Sequence, residues 1–358
     1  MGYLTRMLIE KKWRENGRKD ALRLARQPRP EGVAVETGLA YLPDGDPMHT
    51  LNLYRPEGAQ GPLPTVVDIH GGGWMYGDRE LNRNYCMALA AQGYEVTYLK
   101  PDRSGHVSPD ALRAALRPDT VLVSMMLVNN ELGTVLPVAQ AAKLVHQKTK
   151  ALVHCDAVQG FLKVPFTPKD LGVDLLTVSG HKIHAPKGIG ALYIRSGLRF
   201  PPMILGGGQE NGLRSGTEAT AQIAAFAAAA KAGRETMEED TARMAALKER
   251  AADLLARRVP GLKRIGNGTA PHILAVTMPG YKSEVVVRFL SDRGICLSSG
   301  SACHKGKPSH VYAALGLPKK ELDGGLRISF SWDTGEEDIL ALAEGLEAAH
   351  RELFTALS

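Results

Sequence analysis

Short apolar runs separated by amphipathic stretches set the pattern of this 358-residue chain. Val33 to Leu42, His49 to Tyr54, Thr65 to His70, Tyr94 to Leu99, Thr120 to Leu127, Leu152 to Val158 and Asp174 to Val178 are rich in β-branched and other apolar residues, as buried strands are. Between them, Asn82 to Gln92 and Val138 to Lys148 place apolar residues at helical spacing. Strands alternating with helices of this length predict parallel βαβ units and an α/β fold. Residues 1 to about 32 read as an amphipathic, basic helix ending near Pro28 and Pro30, and RPEGAQGPLP reads as a linker.

The second half has a different rhythm. Glu218 to Arg257 is Ala-rich and laced with charge, one long helix or two with a break, and reads as a connector. Beyond it the pattern is mixed: strand Ile273 to Thr277, helix Ser283 to Arg293, strand Ile295 to Ser298, helix His310 to Leu315, strand Leu326 to Phe330, and a last helix from Glu336 to about Leu353. Thr334 opens the last helix with T-G-E-E, a start that resembles a capping box. No internal repeat is present.

Composition narrows the classes. The formal charge of +6 is spread among interleaved acidic and basic residues, so no nucleic-acid partner is expected. No apolar run approaches the roughly 20 residues that span a bilayer, and the N-terminus lacks the apolar core of a signal peptide. A cytoplasmic protein without a membrane partner is expected. The 4 cysteines show neither a CxxC pair nor zinc spacing, so no metal is expected. Cys155 and Cys296 sit in apolar runs and read as core. Cys303 follows small residues and precedes His304, Lys305 and Lys307, a setting that suits a reactive, exposed thiolate on a loop.

The most informative stretch is SGHKIHAPKGIG, Ser179 to Gly190. It sets Lys182 after a strand-like run and inside a Gly/Pro-bracketed turn, where an enzyme holds a lysine that forms a Schiff base. Upstream, LVHCDAVQ brings Asp156 to the end of a buried strand. Downstream, GGGQENGLRSGT is a glycine-rich loop with an arginine. An aldehyde cofactor with a ring nitrogen and a phosphate needs such a set: an amine, a carboxylate to keep the pyridine nitrogen protonated, and donors for the anion. Taken singly, such residues also have ordinary structural uses: Asp156 as a helix cap, His181 of the same turn as a packed turn residue, and Arg327 in the later run LRISF as a surface ion pair.

From about Gly93 to the C-terminus the chain resembles the cysteine desulfurases of the class V aminotransferase group. The likeness is carried in order by GYEVTYL, LVSMMLVNNELGTV, HCDAVQG, SGHKIHAPKGIGALYIR, GGGQENGLRSGTEA, SSGSACHKGKPSHV and LRISFSWDTGEED. The resemblance implies a fold-type I large domain with a parallel or mixed sheet, a smaller α+β C-terminal domain, and pyridoxal 5'-phosphate as cofactor. It further implies that Lys182 binds the cofactor, that Asp156 pairs with its ring nitrogen, and that Gln159 and Asn130 bond its phenolic oxygen or nearby substrate atoms. Ser179 and His181 would reach the phosphate, and Thr217 the phosphate of a partner subunit's cofactor in a homodimer. Arg327 would hold the substrate carboxylate. Cys303 would take sulfur from L-cysteine as a persulfide, leaving L-alanine, and pass it to an acceptor protein, an iron–sulfur scaffold or a tRNA-thiolation protein.

The family pattern fails before Gly93, where its phosphate-binding Gly-Ala-Thr turn and Glu-His pair are missing. Residues from about 33 to 93 resemble the α/β-hydrolase esterases instead, through LNLYRPEG and PTVVDIHGGGWMYGD. His70-Gly71-Gly72-Gly73-Trp74 is similar to their oxyanion-hole motif. No G-x-S-x-G elbow occurs in the chain, which speaks against an esterase. AAQGYEVTYL suits either parent, so the join is placed there and the chain reads as a chimera. The expected organisation is a hydrolase-like segment over 1–92, a cofactor-binding large domain over 93–232 and a small domain over 233–358. A non-catalytic fusion is the other outcome such a join allows.

Overall fold

The computed structural model describes residues 31–40, 50–61, 63, 65–68, 93–202, 204–299 and 309–355. The expected helix Asn82 to Gln92, the HGGGW motif, the Cys303 segment and all but the last two residues of the expected helix over 1–32 lie outside them; Glu31 and Gly32 form a turn. Eight strands form one sheet: β1 (Val33–Ala40), β2 (Thr50–Pro56), β3 (Thr65–Asp68), β4 (Glu95–Tyr98), β5 (Thr120–Met126), β6 (Leu152–Asp156), β7 (Leu175–Ser179) and β8 (Gly190–Ile194). Their order is β1-β2-β4-β3-β5-β6-β7-β8. The β1 to β2 and β2 to β4 pairings are antiparallel, those from β4 through β7 are parallel, and β8 is antiparallel to β7.

The chain runs outward from β3 to β4 and then returns to the other side of β3 at β5. Such a reversal opens a crevice at the carboxyl ends of the flanking strands, the usual ligand position in an open α/β sheet. Both parent-like segments meet here, since β3 pairs in parallel with β4 and with β5.

One face of the sheet is closed by α1 (Pro109–Ala115), α2 (Val138–Lys148) and α3 (Pro168–Leu171). Val123, Met125, Val153, Cys155 and Leu176 pack there against Leu112, Ala142 and Val145. Alternate residues decide the face: along β6, Val153 and Cys155 are buried, while Leu152, His154 and Asp156 are half-buried on the other side. Ser108 caps α1 by accepting the Ala111 N–H, and Thr167 caps α3 by accepting that of Asp170.

A single helix, α4 (Thr220–Arg258), follows without a break. The expected boundary at 232 falls inside it. Its buried residues, Met244, Leu247, Lys248, Ala251 and Leu255, all lie beyond that point, in the half that joins the second core. That core also takes residues from β10 (Ile273–Thr277), β11 (Gly325–Ser329), α5 (Ser283–Ser291) and α8 (Glu336–Glu352). With the short β9 (Lys263–Arg264), β10 and β11 make an antiparallel sheet ordered β11-β10-β9. Two short helices, α6 (His310–Ala314) and α7 (Lys319–Asp323), precede β11.

Several expectations shift. The expected strand Ile295 to Ser298 reduces to one bridge between Ser298 and Arg327, and Cys296, expected in the core, is exposed. Helix α5 ends at Ser291, two residues early, in a turn completed by Gly294 at positive φ. The last helix is capped one residue later than T-G-E-E suggests. The Thr334 hydroxyl accepts the Ser331 N–H, while Asp338 reaches back to the N–H of Gly335. Strand β8 and helices α1 and α3 are short and bounded by turn residues, so the apolar pattern does not mark them.

Asp174 locks the strand that leads to Lys182. Its side chain is fully buried and accepts from Val153 N–H, Arg195 Nε and His146 Nε2 at 2.7, 2.6 and 2.9 Å. Burial pushes this carboxyl upward, but the hydrogen bonds from Val153, His146 and Arg195 outweigh it and hold it below the usual range. Asp174→Ala should therefore destabilise the fold by about 3 kcal/mol in denaturant melts, as removing one partner of a buried pair does. A carboxyl held low in the folded state stabilises above its ordinary pKa and ceases to do so as pH falls through the folded value. The gap between variant and wild type should accordingly close in strong acid.

Candidate active site

Three successive parallel strands end on one edge of the sheet, and each delivers a polar residue there. After β5, the chain turns through Asn129, Asn130 and Glu131. The Asn129 side chain accepts the N–H groups of Glu131 and Leu132, both at 2.9 Å, which fixes the turn. After β6, one Asp156 oxygen accepts the Val158 N–H at 2.9 Å and so shapes the turn that carries Gln159. After β7, a 3-10 turn, Gly180–Lys182, carries Lys182.

That last turn depends on two glycines. A Cβ on Gly180 would stand 2.7 Å from Ile189 Cγ2, and one on Gly190 would stand 2.6 Å from the Val178 carbonyl oxygen. Without side chains there, the segment folds back and pairs Ser179 with Gly190. Ser179 Oγ and His181 Nδ1 bond across the turn at 2.7 Å. Burial, then the charges of Lys182 and Lys187, lower the His181 pKa.

The second sheet closes the site. Arg327 on β11 donates from Nη1 to the Asn130 carbonyl at 3.0 Å, joining the two halves of the molecule. The turn after β5 is held from behind by the loop before β10. Ala270 N–H donates to Gly133 O at 2.8 Å, and buried Lys248 donates to Gly268 O and Ala270 O at 2.5 and 2.8 Å. A Cβ on Gly268 would lie 1.9 Å from Leu132 O, so only glycine fits there.

Between these parts lies a cavity of about 190 Å³ lined by Asn130, Val158, Gln159, Lys163, His181, Lys182, His184, His272, Ile273, Arg327 and Ser329 to Ser331. No Asp or Glu is among them. Asn130 Oδ1, Arg327 Nε and both ring nitrogens of His272 are buried and lack hydrogen-bond partners among the described residues. Buried polar groups normally find partners, so this cluster makes the cavity a candidate place for a polar ligand. At its mouth, Ser331 Oγ lies 3.2 Å from His184 Nε2, and His184 meets the Trp332 ring edge to face at 5.7 Å. A larger cavity, about 380 Å³, lies beside Lys248, Glu249 and Arg264, but Arg264 pairs with Glu249 and Lys248 with carbonyls. The smaller cavity is the better candidate.

Of the expected site residues, Asn130, Gln159, His181, Lys182 and Arg327 line it together. Asp156 and Ser179 end the strands beside it without lining it. Thr217 is exposed in the loop before α4 and does not reach it. Cys303 lies outside the described residues. Lys163, His184 and His272 line the cavity without having been singled out. His272 carries no signal of its own, standing in PHIL at a loop-to-strand junction, and Lys163 reads as an ordinary surface lysine.

Comparison with known proteins decides the family. Residues 77–342 match the profile described as aminotransferase class-V. The chain belongs to that family. Residues 51–101 match a second profile, described as BD-FAE, so the two overlap over 77–101, where the sequence places the join. A cysteine desulfurase of Nostoc sp. (strain PCC 7120 / SAG 25.82 / UTEX 2576) is 41% identical over 72% of this chain and 65% of its own length. Cysteine desulfurase IscS of Methanosarcina thermophila is 38% identical over 71% of this chain and 63% of its own length. The chain thus spans a little under two thirds of these curated relatives. Among solved structures, a NifS-like protein superposes with a TM-score of 0.72 at 32% identity, covering 81% of this chain and 76% of its own. SspA in complex with cysteine superposes with a TM-score of 0.60 at 32% identity, covering 75% of this chain and 74% of its own.

The class V family works with pyridoxal phosphate, and the cavity's donor set fits that group. It offers an amine in Lys182, donors in Gln159 and Arg327, and unpaired buried polar atoms, with Asp156 at the strand end alongside.

The described cysteines differ in setting. Burial, reinforced by the Asp156 charge, pushes the Cys155 thiol up to about 12, while Cys296 is exposed. At pH 8, iodoacetamide should label Cys296 and leave Cys155 untouched until the protein is unfolded, as peptide mass mapping would show.

Proposed function

We propose that this protein is a cysteine desulfurase that takes sulfur from L-cysteine onto Cys303 and releases L-alanine. The observation that carries the reading is one cavity holding both Lys182 and Arg327, with unpaired buried donors and acceptors in its wall. Supporting it are the sequence relatives, themselves cysteine desulfurases, and the likeness to a structure described as bound to cysteine.

In this reading Lys182 holds pyridoxal phosphate, Asp156 faces its ring nitrogen, and Gln159 and Asn130 bond its polar edge. Ser179 and His181 serve its phosphate. When bound, the group supplies an electron sink that eases cleavage of bonds at the amino acid's carbons. Arg327 orients the substrate by its carboxylate, for which a guanidinium fork is suited, while its bond to the Asn130 carbonyl keeps it from swinging away. The Cys303 thiolate bonds to the substrate sulfur as the substrate's carbon–sulfur bond breaks. The carbon left behind takes up a proton and leaves as alanine. The persulfide then passes sulfur to an acceptor protein, an iron–sulfur scaffold or a tRNA-thiolation protein, in the cytoplasm. Among the described residues no helix is long and apolar enough to cross a membrane.

We further propose that the protein is a homodimer with the organisation expected from sequence: a hydrolase-like segment over 1–92, a cofactor-binding domain over 93–232 and a small domain over 233–358. Thr217 lies away from its own chain's cavity, as a residue serving the partner's cofactor would. Near it Ile204, Leu205 and Ile223 are exposed, Leu205 by 80%. A second copy covering them removes apolar surface from water. Sedimentation should show a dimer that Leu205→Asp weakens.

Incubated with L-cysteine and pyridoxal phosphate, the purified protein should release L-alanine and sulfide, measured by amino-acid analysis and methylene blue. Cys303→Ser should lose sulfur delivery to a thiol acceptor and keep the cofactor's absorbance. Retained delivery would contradict the role of Cys303, and ester hydrolysis without alanine release would contradict the reaction.

A further inference from the structure

His272 is an odd residue to find where it is. It is 6% exposed, it lines the cavity, and neither ring nitrogen has a hydrogen-bond partner among the described residues. Leaving such a ring unpaired costs about 1–3 kcal/mol, which a leucine or phenylalanine would not incur. The ring is not there to fill the core. Nor is its place loosely set, since the His272 carbonyl accepts the Phe330 N–H at 3.0 Å and the next residue, Ile273, pairs with Ser329. On the same two strands, Arg327 pairs with Ala275. His272 and Arg327 are therefore carried into the cavity by one rigid sheet.

We propose that His272 is a second hydrogen-bond donor for the substrate carboxylate, acting beside Arg327 in the cavity wall. The inference rests on the reading of this cavity as an amino-acid site and adds to it a residue that the sequence pattern did not assign. Its chemistry follows from its neighbours. Burial and then the charges of Lys163, Lys248, Lys182 and Arg327 drive the imidazole pKa down to about 3, so the ring is neutral at physiological pH. A neutral imidazole carries one N–H at all times, and a ring this weakly basic is a poor proton acceptor. Surrounded by cations, with no acid in the lining, that N–H has an anion as its natural partner. Arg327 Nε is also unpaired, with Nη1 already committed to the Asn130 carbonyl. A carboxylate has two oxygens, and the guanidinium and the imidazole together offer donors for both.

The test uses L-alanine, which has the carboxylate and ammonium of the substrate but no sulfur to remove. Its affinity for the protein loaded with pyridoxal phosphate is read from the change it causes in the cofactor's visible absorbance. His272→Phe should bind L-alanine roughly ten-fold more weakly, about one good hydrogen bond, while keeping the cofactor band. His272→Asn, which still offers an N–H donor, should recover most of that loss. Unchanged affinity in His272→Phe, or equal loss in both variants, would overturn the proposal. Nitrogen NMR of histidine-labelled protein supplies a check that needs no cofactor: the His272 N–H signal should shift as L-alanine is added, and a signal that stays in place at saturation would also overturn the proposal. If the wild-type protein forms no cofactor band at all, the reading of the site as a whole fails. The same comparison is then made calorimetrically on the unloaded protein, where equal L-alanine affinity in wild type and His272→Phe overturns the role of His272.

Discussion

Parallel pairing of β5, β6 and β7 is the constraint on which the rest of this molecule depends. Because the three strands run the same way and pair without interruption, their carboxyl ends fall on one edge, and the turns that follow them bring Asn130, Gln159 and Lys182 to a single cavity. A parallel sheet needs both faces covered and crossovers between strands, so the helices α1, α2 and α3 are the cost of this arrangement. Asp174, which ties β6 to the start of β7, keeps the two strands from sliding and so keeps Lys182 in register with Gln159.

The second constraint is the contact between the two sheets. Arg327 bridges to the Asn130 carbonyl, Leu132 packs with Ala275, Val311 and Tyr312, and the Ser309 hydroxyl bonds the buried Glu131 carboxylate. Ser309 also caps α6, the first described residue after the Cys303 segment. The exit of the proposed sulfur-carrying segment is thus anchored to the same turn that presents Asn130. The hydrolase-like residues enter this scheme through topology. Strands β3 and β4 extend the parallel sheet beyond β5, and the likeness to the NifS-like structure covers 81% of the chain, more than the 72% aligned with the sequence relative from Nostoc. Strand β3 fits there because a parallel sheet asks the same evenly spaced pairing of any strand along both of its edges.

Much of this was legible in the residues. The alternation of apolar runs and helical repeats marks the parallel sheet, because that depends on local pattern, and Asn130, Gln159, His181, Lys182 and Arg327, singled out through the family resemblance, do meet in one cavity. What was not legible depends on contacts distant in sequence. Cys296 looks like core because its neighbours are apolar, yet the chain passes β11 with only Ser298 bridged and leaves the thiol outside. His272 and Lys163 sit in unremarkable contexts and acquire meaning only when β10 and the turn after Gln159 face one another across the cavity. Thr217, assigned by its motif, cannot be placed in a site by a single chain.

In the function proposed for this chain, the cavity at the strand ends holds pyridoxal phosphate through Lys182. Treating the protein with pyridoxal phosphate, reducing with borohydride and mapping the peptides tests it directly. One phosphopyridoxyl group is expected, on the peptide that contains Lys182, and none there when Lys182 is replaced by alanine. Label scattered over surface lysines with Lys182 unmodified would contradict it.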